Sequence, residues 1–406
     1  MLGLVLTVAI TPAAPPVDPD PKTLAVPAAD QARAAALVEK LGSTRFEDRE
    51  KAQDELVAMG RRAVPALTEA LTKHASAEVR ARCQTLYPRA RADDLQARLA
   101  VFMADEGGKF EHDLPGWSEF SQITAGCGAP ARTVFAELVT NPIGRELLLS
   151  ELQPQELGLR IALRKQEMYQ RQYTTARVGG QVQPPPAIEV LAVMLAEARI
   201  PSRHVPRNTT YTMIYTSGGF TAALNGGRQA RTYRAIAGKW IASRDEAVVM
   251  VQALSVGQTL DLPEVADLGA RMIKTPAVTV PNKAQAAMVV AKVGNPKHLP
   301  ALESVFKDEG PVSAVGLIVA GPVGGPAVPA ATKTLQLRDV GLVAALLLTR
   351  QEPGDYGFEW VQPNLARTAT SRLQYMNWRL APDNRAAAFE KWAEWRAANP
   401  NVGEIR

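Results

Sequence analysis

The chain has 406 residues, of which 46% are hydrophobic, 21% charged and 6% aromatic, with 46 Lys and Arg against 41 Asp and Glu. That composition excludes wholesale disorder and collagen-like order, and the length allows two or three domains or one long repeat array. A net charge of +5 is too slight to identify a nucleic-acid binder.

The N-terminus opens with an uncharged apolar run, Leu2 to Ile10, followed by the small residues Ala13 and Ala14. This is the length of a signal-peptide core with a cleavage site behind it, so residues 1–14 are read as signal-peptide-like and the chain as exported to the periplasm or cell envelope. No Lys or Arg precedes the run, and the competing reading is a frayed cytoplasmic tail. Six prolines between residues 12 and 27 make 15–29 an extended linker.

Helical periodicity starts at Asp30. Ala34, Leu37, Val38 and Leu41 recur at the spacing of one helix face, and Gly42 is expected to end that helix as a left-handed cap. Phe46, Arg49, Ala52, Gln53, Leu56 and Met59 form a second face that stops at Gly60. A third helix runs from about Arg62 to Lys73 with Val64, Leu67, Ala70 and Leu71 inward. Ser76 caps a fourth, with Val79, Cys83 and Leu86 on one stripe. None of these short helices can bury its apolar face alone, and stacking is the simplest solution. Gly60-Arg-Arg-Ala-Val-Pro-Ala-Leu recurs, one residue longer, as Gly294-Asn-Pro-Lys-His-Leu-Pro-Ala-Leu. Arg49, Arg80 and Arg82 are expected to pair with carboxylates of neighbouring repeats, with Glu50, Asp54 and Glu78 available.

Residues 34–86 resemble HEAT repeats of the phycobilisome-lyase-like bacterial type. The matching residues are Leu41-Gly-Ser-Thr-Arg-Phe-Glu-Asp-Arg-Glu-Lys-Ala, Leu56, Gly60, Ala63-Val-Pro-Ala-Leu67 and Ala77-Glu-Val-Arg-Ala-Arg-Cys83. Leu114-Pro-Gly-Trp117, Ala131 to Glu137, Leu337 to Leu342, Asp355-Tyr-Gly-Phe358 and Phe389 to Trp395 are similar to segments of an uncharacterised exported bacterial family of HEAT-repeat proteins. The resemblance implies an all-α, solenoid-like stack of helix pairs and an envelope location, and brings no catalytic residues. Residues 30–105 are therefore expected to hold N-terminal HEAT-like repeats and 115–400 a divergent helical-repeat region.

Further along, 107–129 reads as a Gly-rich connection carrying Trp117 and Phe120. Helices are expected at about 130–140, 142–151, 154–176 and 187–199. Residues 205–221 have strand-like texture or form an irregular turn. Helices resume at 227–242, 244–255, 263–273, 282–293, 297–307, 335–349 and 383–398. The uncharged stretch 310–332 carries too many Gly and Pro to span a bilayer and reads as a buried, turn-rich insert; no integral span is expected after the N-terminal segment. In the last helix, Phe389, Trp392 and Arg396 line a stripe read as core or as an end cap.

From Ala198 to Arg244 there are eight cations and no acidic residue. Arg203, Arg207, Arg228, Arg231, Arg234 and Lys239 are the candidate anion-binding residues, with Tyr211, Tyr215, Phe220, Tyr233 and Trp240 among them as stacking platforms. The competing reading is a solvated face whose aromatics turn to the core. Catalysis has thin support: His112-Asp113, Cys127 and His204 beside Arg203 are the available groups, and none sits in a catalytic motif. Two cysteines and four scattered histidines do not make a metal site, and no cofactor is expected. The chain is read as a non-enzymatic binding or scaffolding protein with a protein partner; alternatives are a polyanion-binding module at 199–244 and an enzyme of unknown type.

Overall fold

A computed structural model of the chain describes residues 17–149, 152–177, 184–313, 335–360 and 373–403. The signal-like segment and most of the 310–332 insert lie outside the described residues. The chain is mostly helical, and it divides into two compact units, Met1–Glu137 and Leu138–Arg406.

The first unit holds α1 (Ala28–Lys40), α2 (Phe46–Met59), α3 (Val64–Lys73), α4 (Ala77–Ala104), α5 (Trp117–Ile123) and most of α6 (Ala129–Thr140). The apolar faces read from the sequence meet in one core that includes Ala34, Leu37, Val38, Leu41, Ala52, Leu56, Met59, Leu67, Ala70, Val79 and Cys83. Ser76 Oγ accepts from the Val79 N–H at 3.4 Å, the expected cap. Pro88 does not break α4, which continues to Ala104 with Leu86 and Ala90 buried on either side of it. Phe46 is an exception to its predicted face: it is 64% exposed and lies 5.6 Å from the Arg49 guanidinium. Gly42 does not adopt the expected left-handed cap, since the positive-φ glycines begin at Gly60. Gly42 instead answers a close approach, because a Cβ there would meet Val79 Cγ2 at 3.1 Å.

The 107–129 connection contains α5. Its Trp117 and Phe120 stack at 6.0 Å and join Phe102 and Phe135 in an aromatic cluster. Such rings bury large areas and prefer these edge and offset geometries, which gives so short a helix its anchorage.

The second unit holds α7 (Pro142–Leu149), α8 (Pro154–Arg177), α9 (Ala187–Ala198), α10 (Gly218–Asn225), α11 (Ala230–Ala242), α12 (Ala247–Thr259), α13 (Val265–Lys274), α14 (Val280–Val293), α15 (Leu299–Glu303), α16 (Leu337–Leu348) and α17 (Pro382–Ala398). Helix α9 is buried on nearly every side, from Val190 to Glu197, with α7, α8, α10 and α11 around it. Glycines let the later helices approach closely: a Cβ at Gly238 would meet Glu264 at 2.5 Å, and one at Gly257 would meet Val265 at 2.2 Å. Residues 205–221 are not a strand. A 3-10 helix spans Thr209–Thr216 and leads into α10, with Ile214, Tyr215, Phe220 and Leu224 buried at helical rather than alternating spacing.

Two short antiparallel pairs depart from a purely helical architecture. Strand β1 (Pro311–Ser313) pairs with β2 (Leu335–Gln336), and β3 (Phe358–Trp360) pairs with β4 (Trp378–Leu380) in the register Phe358↔Leu380 and Trp360↔Trp378. The aromatic stripe of α17 faces inward: Phe389 meets Phe306 at 5.2 Å, Trp392 is buried, and Arg396 pairs with Glu303 at 3.1 Å.

Candidate functional site

Tertiary structure redistributes the charges of the basic segment. Arg244 is fully buried. Arg207 pairs with Glu246 at 2.7 Å, a partner just beyond the acid-free stretch. Arg234 spans the end of α10, donating to the Leu224 carbonyl at 2.9 Å and to Asn225 Oδ1 at 2.6 Å. Arg203 Nε donates to His204 Nε2 at 3.1 Å, and Arg199 donates to the Leu148 carbonyl at 3.0 Å. Arg228, Arg231 and Lys239 are exposed and make no ion pair among the described residues. Arg231 and Lys239 share the outer side of α11, because Thr232, Tyr233, Ile236, Ala237 and Trp240 take the inner side. Of the aromatics, Tyr215, Phe220, Tyr233 and Trp240 are buried, while Tyr211 is half-buried against Tyr169 at 5.3 Å. The structure thus leaves Arg231 and Lys239 exposed on the outer side of α11 and Arg228 exposed just before it, without the stacking platforms.

Beneath that surface lies a buried ionic centre. Lys165 of α8 donates to Glu197 Oε1 at 2.9 Å, and Trp240 Nε1 donates to Glu197 Oε2 at 2.6 Å. Arg244 donates to the Glu197 carbonyl at 2.6 Å and to the Trp240 carbonyl at 3.1 Å, with its other Nη 4.0 Å from Glu197 Oε2. All three charged side chains are about 1% exposed or less. Burial by itself would raise the Glu197 carboxyl; Lys165, Arg244 and the indole N–H outweigh it and hold the group below its ordinary value. Tyr215 lies against the same centre, 5.0 Å from both Lys165 Nζ and the Trp240 ring. Burial and then the Glu197 charge push its phenol well up. A buried carboxylate held by two cations and an indole N–H has no exposed lone pair with which to act on a substrate, and these contacts tie α8, α9 and α11 together. The sequence pattern presented Arg244 only as one cation of a basic run, and Tyr215 and Trp240 only as aromatics within it. The available signal was Glu197 closing a helix otherwise almost wholly apolar, where a lone carboxylate needs a buried partner.

Of the titratable groups named from the sequence, His112, Asp113 and His204 have partners. His112 Nε2 bonds Asp105 at 3.0 Å rather than its neighbour Asp113, which is fully exposed and pairs with Arg98 at 3.4 Å. Asp105 accepts from the N–H groups of Lys109 and Phe110 at 2.9 and 3.0 Å, and Arg132 stands 3.7 Å away. Burial opposes ionisation of Asp105. These hydrogen bonds, His112 and Arg132 overcome it and bring the carboxyl to about 2. His298 closes a capping box with Asn295 and bonds Asp267 at 3.0 Å. Cys83 is a buried free thiol, raised by desolvation, and Cys127 is a half-buried free thiol. Among the described residues no group of three or more His, Cys, Asp or Glu could hold a metal ion, and no helix is long and apolar enough to cross a membrane.

The predicted arginine contacts of the N-terminal helices divide. Arg82 does reach carboxylates, Glu78 at 3.4 Å and Glu50 at 3.7 Å. Arg49 and Arg80 do something else, and the same thing. Arg49 Nη1 donates to the carbonyls of Ser43 and Thr44 at 2.8 and 3.3 Å, and Arg80 Nη1 donates to those of His74 and Ala75 at 2.5 and 2.9 Å. Each arginine, in the first turn of its helix, clamps the turn that precedes it. No family model, curated protein or solved structure matches the chain.

Proposed function

We propose that the chain is a non-enzymatic binding or scaffolding protein of the cell envelope, whose working surface is a solenoid-like stack of HEAT-type helix pairs. The observation that carries this reading is the repeated arginine clamp. The turns before α2 and α4 are fixed by the same side chain, at the same helical position, on the same pair of carbonyls. A second repeat of local geometry supports it. Gly60–Ala63 and Pro296–His298 are both 3-10 turns that pass into a helix with proline at its second position, and Leu67 and Leu302 are buried at equivalent places. Modules that recur with one fixed turn are built to extend a surface by stacking. The non-enzymatic part draws on chemistry: Asp105, His112, Glu197 and His298 are spent on internal pairs. The envelope location rests on the Leu2–Ile10 run and the Ala13-Ala14 pair, and no cofactor enters the reading.

Cell fractionation of the tagged full chain, with cross-linking in situ, tests this. The expected result is an envelope-fraction protein processed near Ala14, with a saturable protein cross-link on α1 to α4. Recovery of the cytosolic chain with Met1 intact removes the location, and a turnover abolished by substituting Asp105 or Glu197 without loss of folding removes the non-enzymatic reading.

The exposed trio Arg228, Arg231 and Lys239 favours a second reading, a polyanion-binding surface held by charge alone. Retention on heparin should fall steeply with salt and vanish in R228E/R231E/K239E. Retention unchanged in that variant excludes it.

A further inference from the structure

The turn that leaves α16 and the outer side of α17 enclose an open cleft of about 610 Å³ within the second unit. That volume is in the range of small-molecule sites, which combine an apolar wall with a few placed polar groups. Helix α16 ends in a Schellman turn: the Arg350 N–H bonds the Leu347 carbonyl at 3.1 Å, and the Gln351 N–H bonds that of Leu346 at 2.8 Å. The residue that must adopt the left-handed conformation there is normally glycine; here it is Arg350, at φ 60°. Asp261 closes α12 with the same left-handed turn at φ 52° and does not line this cleft, so what sets Arg350 apart is its place in the cleft lining.

Five of the eight lining residues are charged and Tyr356 is itself buried, so the apolar part of the lining is the half-buried Trp395. Tyr356 donates its hydroxyl to Gln351 Oε1, and Gln351 in turn donates to Thr349 Oγ1 at 2.9 Å. Lys391 donates to the Asp355 carbonyl at 2.8 Å and stands 4.8 Å from the centre of the Tyr356 ring. Trp395 leans on the buried Trp392 at 5.0 Å. The side chains of Arg350, Asp355 and Glu394 are exposed in the cleft and make no ion pair among the described residues.

Charge sign narrows the occupant. A cationic ligand meets Arg350 and Lys391, and an anionic one meets Asp355, Glu394 and Glu352. A neutral polyol suits both sets, because each hydroxyl can donate to a carboxylate and accept from a guanidinium. A pyranose also carries an apolar C–H face, for which an indole is a flat, weakly polar support. We propose that this cleft binds a neutral oligosaccharide, with a sugar face on Trp395 and hydroxyls bonded to Arg350, Asp355 and Glu394. The inference goes beyond the scaffold reading and stands apart from it, since the arginine clamp that carries that reading involves no residue of the cleft.

The test is calorimetry and tryptophan fluorescence on the full chain with cellotetraose, maltotetraose and chitotetraose, and with tetralysine and tetraglutamate as charged probes. At least one neutral sugar should bind with Kd below about 1 mM. D355N and E394Q should weaken it, and W395A should abolish it. R350G is the decisive variant: binding should fall about tenfold or more while Tm rises, because glycine relieves the backbone strain and removes the guanidinium. A purely structural Arg350 would leave affinity unchanged or improved. No response to any of the three sugars, tighter binding of either charged probe, or full affinity in R350G overturns the proposal.

Discussion

Charge is handled in opposite ways by the N-terminal helices α1 to α4 and by the centre of the second unit around α9. In the first, an apolar core of Ala, Leu, Val, Met and Cys carries the packing, and the ions stay at its edge: Arg33 with Glu55, Arg62 with Asp30, Arg82 with Glu50 and Glu78. In the second, Lys165, Glu197 and Arg244 are inside. Exposed pairs gain little over hydration, so substituting them disturbs little; a buried ion that loses its partner has no solvent to fall back on. The same residue types thus decorate one region and hold the other together.

The sharpest break of that comparison is Glu197→Gln, which leaves two buried cations facing a neutral amide. It should cost about 3–5 kcal/mol in urea unfolding of the second unit. A loss below about 1 kcal/mol would mean that water reaches the centre. In the N-terminal helices the large effect should come from an apolar position. Leu67→Ala, at a site 1% exposed, should cost about 3 kcal/mol, and a neutral result would show that α3 contributes little to the core.

Asp105, at the end of α4, is an exception in the first unit: a buried carboxylate with His112 and Arg132 beside it, and pH reads it out. Its carboxyl falls from an ordinary 3.8 to about 2 in the fold, so its stabilisation is complete above about 4 and is lost as pH falls toward 2. Thermal melts of Asp105→Asn should lie below those of the parent at pH 6 and converge with them near pH 2. Parallel curves across that window would remove the assignment. The smallest effect belongs to Arg82→Ala, whose partners are largely solvated; about 0.5 kcal/mol is expected, against a clearly larger loss for Arg80→Ala, which frees the carbonyls of His74 and Ala75.

Most helices were legible because their apolar residues recur at 3.6-residue spacing, as in α1, α3, α13 and α14. Legibility failed where another force took over. Helix α5 is too short to show a period and rests on aromatic contacts with Phe102 and Phe135, which come from distant segments. Residues 209–225 are rich in β-branched and aromatic residues, and burial against α8, α9 and α11 overrides that local preference. The candidate anion-binding list was legible as a run of arginines. Which of them reach solvent was not, because Glu246 and the Leu224 carbonyl become partners only once the chain turns back. The cleft at Arg350 left only a faint mark, a Pro-Gly turn after an apolar helix and two tryptophans three residues apart.

The amino-acid order alone settled the helical class, the N-terminal helix faces apart from Phe46, and the Ser76 cap, because each depends on residues within a few positions of one another. Folding in three dimensions decided which charges are sealed and which are free, that Gly42 packs closely against Val79, and that Arg350 and Trp395 line one cleft. Those outcomes depend on desolvation and close approach, which are properties of neighbours in space.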